Sequence, residues 1–258
     1  MKRFFRRHAT LWMLIGFCLL LGLFLSLRTG IFFTGRNLIN ILEANSFKLL
    51  LAIGMTFVIA SGGIDLSVGS ILSLSAIFTA LCMKQNIPVW LAILVGLLSG
   101  ILMGLINGAL IHFTGINAFI ITLGTSFLYR GLALIVTRGT PVSKLPAAYR
   151  AFGGGDIFQV ESGVYMALLV LLLSIPFLYK MRWGHYITTL GGNPVALRRC
   201  GVRTGAWRIS TFAVMGFLAA LAGIIISARL NSAEPNAGLN MEMDAITAVI
   251  LGGTPLHG

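Results

Sequence analysis

The chain has 258 residues, of which 57% are hydrophobic and only 10% are charged, and its mean hydropathy is +0.93. An ordinary soluble domain is about a quarter charged. This composition excludes a water-soluble globular protein and indicates a membrane protein. The formal net charge of +12 is not accompanied by a basic helix or arm with interleaved aromatic residues, so it does not indicate a nucleic-acid partner.

Apolar segments recur along the whole chain, and a membrane-spanning helix needs about 20 mostly apolar residues. They predict an all-α, polytopic membrane protein in which residues 1–258 form a single transmembrane domain. About seven complete spans and a partial eighth are expected, with boundaries at residues 9–27, 44–60, 66–83, 89–112, 117–137, 163–179 and 209–229, and at 245–252 for the partial span. The first span lacks a small-x-small cleavage site and is too long for a signal peptide, so we expect it to be retained.

The distribution of Lys and Arg predicts that the N-terminus is cytoplasmic, because basic residues accumulate on the cytoplasmic side of membrane proteins. In this orientation ten basic residues face the cytoplasm, namely Lys2, Arg3, Arg6, Arg7, Lys180, Arg182, Arg198, Arg199, Arg203 and Arg208. Six of the seven acidic residues fall on the outer side, namely Glu43, Asp156, Glu161, Glu234, Glu242 and Asp244. The seventh acidic residue is Asp65.

Asp65 lies in the stretch ASGGIDLSVGS at residues 60–70, between two apolar runs. Gly62 and Gly63 weaken a helix, and an aspartate before a helical run can cap the amides of its first turn. Non-helical backbone at membrane depth is tolerated only when it is buried in protein or lines a water-filled cavity. The stretch therefore predicts a helix that is broken within the membrane, with Asp65 as a cap, and such a cap is compatible with a functional role.

The fourth predicted span carries glycines at a strict spacing of four, at Gly96, Gly100, Gly104 and Gly108. Such a stripe lies on one face of a helix and allows the backbone of a neighbouring helix to approach closely. It predicts helix packing. Asn107 on the same span is open to two interpretations, a hydrogen bond to a neighbouring helix or a position on a solute pathway.

The inner segment at residues 180–208 contains LGGNPVALRRCGVRTG. Asn193 can cap a helix, Pro194 suits its first position and Gly201 suits its end, which predicts a short helix of about two turns. The segment is either an ordinary basic loop that satisfies topology or a docking helix for a cytoplasmic partner.

No pattern in the sequence indicates catalysis, a metal site or a bound nucleotide. Cys18, Cys82 and Cys200 are scattered, and the four histidines do not have metal-ligand spacing. The phosphate-binding pattern G-x-x-x-x-G-K-[ST] is missing, so any ATP hydrolysis is expected from a partner. No cofactor is expected on this chain.

A weak internal similarity links residues 59–66, IASGGIDL, with residues 249–256, VILGGTPL. Both have Gly-Gly-x-x-Leu after an apolar run. Paired interruptions of spanning helices are typical of transporters that contain internal repeats. A match this short leaves coincidence and homology equally open.

Four motifs together resemble the permease subunits of bacterial ribose-type ABC sugar importers. They are ASGGIDLSVGS at 60–70, INAFIITLGT at 116–125, TLGGNPVALRRCGV at 189–202 and AITAVILGGTPLHG at 245–258. The resemblance implies a non-enzymatic subunit of the bacterial inner membrane that imports a sugar. It implies three partners as well: a second permease, identical or related; a cytoplasmic ATPase that binds the ATP; and a periplasmic sugar-binding protein.

The resemblance also implies roles for two groups of residues. The broken helix near the translocation path corresponds to Ser61, Gly62, Gly63, Asp65 and Ser67. The segment that couples to the ATPase corresponds to Gly192, Asn193, Pro194, Arg198, Arg199 and Gly201. Members of the family continue with further membrane helices beyond the glycine-rich motif, so the final span is expected to be incomplete and the chain to be truncated at its C-terminal end.

Two other functions are compatible with single residues of the sequence. An ion-coupled carrier would use Asp65 as its ion site with Arg130 nearby, although ion coupling usually requires more buried ionisable residues. An intramembrane aspartyl protease would pair Asp65 with Asp244. For Arg130 itself, we expect the side chain to extend towards the outer headgroups in preference to a position on the pathway.

Overall fold

The computed structural model describes residues 9–255, with side chains from residue 12 onward. The predicted cytoplasmic residues Lys2, Arg3, Arg6 and Arg7 lie outside the described residues, as do the last three residues of the motif at 245–258. The described chain contains eleven helices: α1 Ala9–Thr29, α2 Gly35–Ala60, α3 Val68–Lys84, α4 Val89–Thr114, α5 Ala118–Thr137, α6 Ala147–Gly154, α7 Ser162–Tyr179, α8 Arg182–Gly192, α9 Pro194–Arg199, α10 Thr204–Leu230 and α11 Met241–Leu251.

Two short antiparallel strand pairs complete the secondary structure of the described residues. The first joins β1 (Val142–Ser143) to β4 (Ser232–Ala233), and the second joins β2 (Asp156–Ile157) to β3 (Val160–Glu161). The pairing of β1 with β4 connects the segment after α5 to the segment after α10.

The predicted all-α, polytopic fold is confirmed, because each predicted span falls on one helix. Within residues 9–255, six helices are long and apolar enough to cross a membrane, namely α1, α2, α4, α5, α7 and α10. The predicted span at 66–83 corresponds to α3, a shorter apolar helix of 17 residues. The predicted partial span at 245–252 corresponds to α11, which begins four residues earlier, at Met241.

The helix α10 lies at the centre of the bundle and packs against α2, α3, α4 and α6. Its side chains at Met215, Ala219, Ala222 and Ile224 are completely buried. In contrast, α1 leaves most of its apolar side chains exposed. A helix that is apolar on its exposed surface is suited to contact with lipid.

Three glycines of the α4 stripe, Gly100, Gly104 and Gly108, lie directly against α10, whereas Gly96 faces mainly Thr79 and Ser75 on α3. A Cβ added at Gly100 would overlap the Cβ of Ala220 and the carbonyl oxygen of Gly216, and one added at Gly104 would overlap the carbonyl oxygen of Phe212. The two backbones therefore touch, as expected for helices that associate in lipid through small residues.

An ion-pair cluster connects α2, β3 and the C-terminal end of α10. Arg229 Nε lies 2.8 Å from Glu161 Oε2, Arg229 Nη2 lies 3.9 Å from Glu43 Oε2, and the backbone N–H of Glu161 donates to Glu43 Oε1 at 3.1 Å. Burial raises the pKa of Glu161, and the charge of Arg229 acts in the opposite direction. The cluster fixes the relative positions of three segments that are distant in sequence.

The segment at 180–208 contains more regular structure than its sequence indicated. The short helix around Asn193 is present as α9, but α8, which precedes it, was not predicted. Trp183, Ile187 and Leu190 recur at helical spacing, and the last two are almost completely buried. Three apolar residues in an otherwise polar and basic stretch were too weak a signal to identify this helix.

Candidate functional site: the interruption between α2 and α3

The chain is not helical between Ala60 and Val68, so the predicted break is present. The end of α2 is closed by a hydrogen bond from the N–H of Gly63 to the carbonyl oxygen of Val58, at 3.0 Å. Gly62 has φ of +79°, which L side chains rarely adopt. The two glycines thus form a Schellman motif, which satisfies carbonyl groups that the helix end would otherwise leave without partners.

Asp65 is completely buried in this interruption. Its Oδ1 accepts from the backbone N–H of Ser67 at 2.8 Å and from the hydroxyl of Ser67 at 2.6 Å. The prediction that Asp65 caps the first turn of the next helix needs correction, because Ser67 precedes the first residue of α3. The carboxylate stabilises a turn before the helix and does not reach the amides inside it.

Polar side chains from two other helices extend this contact into a network. The Nδ2 of Asn107, on α4, donates to Ser67 Oγ at 2.7 Å. The hydroxyl of Tyr129, on α5, donates to Asn107 Oδ1 at 3.1 Å. Of the two interpretations of Asn107, the structure shows the bond to a neighbouring segment. We call Asp65, Ser67, Asn107 and Tyr129 the polar centre.

Thr122 on α5 provides a further link to the interruption that the sequence did not indicate. Its Oγ1 accepts from the N–H of Leu66 at 3.0 Å and lies 3.2 Å from the carbonyl oxygen of Ile64. The hydrogen-bonding role of Tyr129 was also not predicted. Both are polar residues on the buried face of an otherwise apolar helix, and that pattern was the available signal.

A small cavity of about 150 Å³ lies beside the interruption. Ser61, Gly62, Gly63, Asn117 and Arg208 are among the residues that line it. Ser61 is buried and Gly62 is exposed. Of the predicted path residues, three therefore border a cavity, whereas Asp65 and Ser67 are enclosed in the polar centre.

Arg130 holds the connection between α10 and α11. Its Nη1 donates to the carbonyl oxygens of Pro235 and Ala237, at 2.5 and 2.6 Å. The hydroxyl of Ser73, on α3, also contacts the carbonyl oxygen of Pro235, at 2.9 Å. The expectation that Arg130 extends towards the headgroups is therefore wrong, because its guanidinium binds backbone groups of the protein.

The residues predicted to couple to an ATPase form one exposed unit. Asn193 Oδ1 accepts from the N–H of Ala196 at 2.9 Å, and Pro194 is the first residue of α9. Gly201 has φ of +77° and follows the end of this helix. Arg198 and Arg199 are exposed, while Leu197, on the same helix, is buried.

The structure does not bring Asp65 and Asp244 into one site. Asp244 is exposed, and its Oδ2 lies 2.8 Å from Lys48 Nζ. Asp65 is enclosed and bonded to Ser67, and within residues 9–255 its Oδ2 has no hydrogen-bond partner. Two carboxyl groups in such separate environments are not placed to share a proton, as the pair of an aspartyl protease does. Among the described residues, no group of three or more His, Cys, Asp or Glu side chains is arranged to hold a metal ion.

Residues 37–258 match the family described as the permease component of the branched-chain amino acid transport system. The chain belongs to this permease family. It is 39% identical to the ribose import permease protein of Escherichia coli (strain K12) over 231 residues, which cover 88% of this chain and 72% of that protein. The corresponding protein of Bacillus subtilis (strain 168) is 38% identical over 92% of this chain and 76% of its own length.

A third relative extends the similarity to almost the whole sequence. The D-allose transport system permease protein of Escherichia coli (strain K12) is 34% identical over 99% of this chain and 78% of its own length. No solved structure matches the chain. The family and the apolar helices identify a multi-pass membrane protein of the transport permease class.

Proposed function

We propose that the chain is the membrane-spanning subunit of an ATP-binding-cassette importer that carries a sugar, or a related small polar solute, into a bacterium. The proposal is supported mainly by the similarity to ribose import permeases along most of this chain. The family description names branched-chain amino acids, but the relatives reported above are named for ribose and D-allose. We therefore favour a polyhydroxylated solute over an amino acid.

The proposed assembly contains two permease subunits, identical or related, in the bacterial inner membrane with their N-termini in the cytoplasm. A cytoplasmic ATPase binds and hydrolyses ATP, and it docks on α9. A periplasmic binding protein delivers the solute to the opposite end of the bundle. ATP-driven closure of the ATPase displaces α9, and the helices around the interruption then change from outward to inward access. The lipid bilayer surrounds the apolar surface of the helices.

Reconstitution in proteoliposomes tests this function. The purified chain is combined with a candidate ATPase and a candidate sugar-binding protein, and uptake of labelled ribose, D-allose and leucine is measured with and without ATP. We expect ATP-dependent uptake of a sugar that requires both partners. Uptake that persists in an ion gradient without either partner would instead support an ion-coupled carrier.

Charge reversal on α9 tests where the ATPase docks. Arg198 and Arg199 are exposed and make no contact that the bundle requires, so the double substitution to Glu should leave insertion intact. We expect it to abolish the stimulation of ATP hydrolysis by the loaded binding protein, because a docking surface complementary to two arginines repels two glutamates. Arg36→Glu, which reverses an exposed charge at the start of α2, is the control. Normal coupled uptake in the double variant would contradict docking on α9.

A further inference from the structure

The C-terminal end of α8 touches the interruption between α2 and α3. A Cβ placed on Gly62 would lie 3.3 Å from the Cα of Gly191 and 3.6 Å from its carbonyl oxygen. Two backbone segments are therefore in direct contact, with no side chain between them. One residue, Asn193, separates the end of α8 from the start of α9.

The opposite end of α8 is anchored to three helices through Trp183. Its ring packs at 5.2 Å from the ring of Phe57, on α2, and at 4.6 Å from that of Phe177, on α7. Its Nε1 donates to Ser210 Oγ, on α10, at 3.0 Å. Gly191 lies eight positions after Trp183 on this helix, which corresponds to a rise of about 12 Å. The helix is thus fixed at its beginning and in contact with the interruption at its end.

We propose that α8 acts as a lever that pivots at Trp183 and carries the movement of α9 to the interruption through the contact between Gly191 and Gly62. The inference rests on the proposed function, because it requires an ATPase that moves α9. Gly62 is a positioning residue in this scheme. It acts through its contact with Gly191, and it determines how far a displacement of α8 moves residues 61–67.

The chemistry of the contact suits it to transmission. Side chains can absorb a small displacement by changing rotamer, whereas two packed backbone segments move together. Residues 61–67 include Asp65 and Ser67, which belong to the polar centre. A shift of Gly62 is therefore passed to the hydrogen bonds that connect the interruption to α4 and α5.

The test compares asparagine at two glycines of similar backbone conformation. Asparagine tolerates positive φ better than other L residues, so both variants bear a small backbone cost. Gly62 has φ of +79° and lies against Gly191, whereas Gly139 has φ of +71° and has open space where its Cβ would be. ATP hydrolysis and solute uptake are measured together in the reconstituted complex. We expect Gly139→Asn to keep the wild-type amount of solute per ATP, and Gly62→Asn to lower it about fivefold or more.

The possible results separate the lever from the proposed function. Wild-type protein that shows neither ATP-dependent uptake nor stimulated hydrolysis would refute the proposed function. A wild-type complex that transports normally, together with an unchanged ratio in Gly62→Asn, would overturn the lever alone.

If Gly62→Asn does not assemble, a substitution at the pivot residue Trp183 provides the decisive measurement. Trp183→Phe keeps an aromatic ring at the anchor but loses the hydrogen bond to Ser210. We expect Trp183→Phe to assemble normally and to transport less solute per ATP hydrolysed. Trp90→Phe, at an exposed tryptophan on α4, is the control and should behave as wild type. Equal ratios in the two tryptophan variants would overturn the proposal.

Discussion

Asp65 illustrates how an acidic residue is accommodated within a membrane bundle. An aspartate at the centre of a bilayer costs about 2.5–3.5 kcal/mol on insertion scales, so such a residue requires a protein environment. Here the side chain is fully enclosed and accepts two hydrogen bonds from Ser67, which is itself held by Asn107. The residue shapes the turn before α3 through these two hydrogen bonds.

Two substitutions at Asp65 separate geometry from charge. Asp65→Asn keeps an oxygen that can accept from Ser67, whereas Asp65→Leu leaves a buried N–H and a hydroxyl without partners. The second loss corresponds to about 1–3 kcal/mol for each unsatisfied group. We expect Asp65→Asn to retain more uptake and a higher melting temperature than Asp65→Leu. Equal loss of uptake at equal expression would show that the charge itself is required.

Arg130 shows the limit of sequence interpretation at the scale of one residue. A cation two-thirds of the way along a span can extend to the headgroups, face a pathway or bind backbone carbonyls. The choice depends on which segment lies beside it. The connection after α10 supplies that partner, and it is more than 100 residues away in sequence.

At the scale of elements, the packing of α4 against α10 depends on glycines that cannot be enlarged. A methyl group at Gly100 would overlap Ala220 and the backbone of Gly216. Overpacking of this kind typically costs about 1–3 kcal/mol. In contrast, Gly124, on α5, has open space where a Cβ would be placed.

Alanine at these two glycines is predicted to have opposite effects. Gly100→Ala should lower the melting temperature of the purified protein in detergent, because α4 and α10 must separate to make room. Gly124→Ala should leave it unchanged or raise it, because alanine favours helix more than glycine does. The prediction fails if the two variants melt at the same temperature.

The two Gly-Gly sequences end their helices in the same way. After α11, the N–H of Thr254 bonds to the carbonyl oxygen of Val249 at 3.2 Å, and Gly253 has φ of +95°. After α2, the N–H of Gly63 bonds to the carbonyl oxygen of Val58, and Gly62 has the positive φ. The positive φ falls on the first glycine in one case and on the second in the other. The similarity is one of helix termination, and coincidence and common origin account for it equally well.

At the scale of the whole molecule, the last part of the described chain is connected to earlier segments by polar contacts. Arg130 and Ser73 hold the carbonyl groups of the segment at 234–237, and β4 pairs with β1. These contacts determine where α11 begins and how it lies beside α2.

Removal of the Arg130 contact should loosen this region selectively. Arg130→Gln loses two hydrogen bonds from a charged donor, each worth about 1.5–3 kcal/mol. We expect faster hydrogen exchange in residues 232–244 and a lower melting temperature. Arg138→Gln, at an exposed position just after α5, is the control and should change neither. Unchanged exchange in Arg130→Gln would show that other contacts hold the segment.

Local and compositional features could be identified from the sequence alone. Long apolar runs specify spanning helices because lipid requires every backbone group to be bonded within its segment. Local backbone preferences are likewise visible in the sequence, so Gly62 and Gly63 marked a helix end, and Asn193 and Pro194 marked a helix start. The family motifs are also local, so the permease class could be identified before the fold was known.

Contacts between segments distant in sequence were decided only by the tertiary structure. The partners of Asp65, the carbonyl groups bound by Arg130 and the contact of Gly62 with Gly191 each join different elements. No sequence period specifies them, because a hydrogen bond or a backbone contact depends on which surfaces meet. The interruption is thus encoded locally by its glycines, whereas its connection to the rest of the bundle arises from packing.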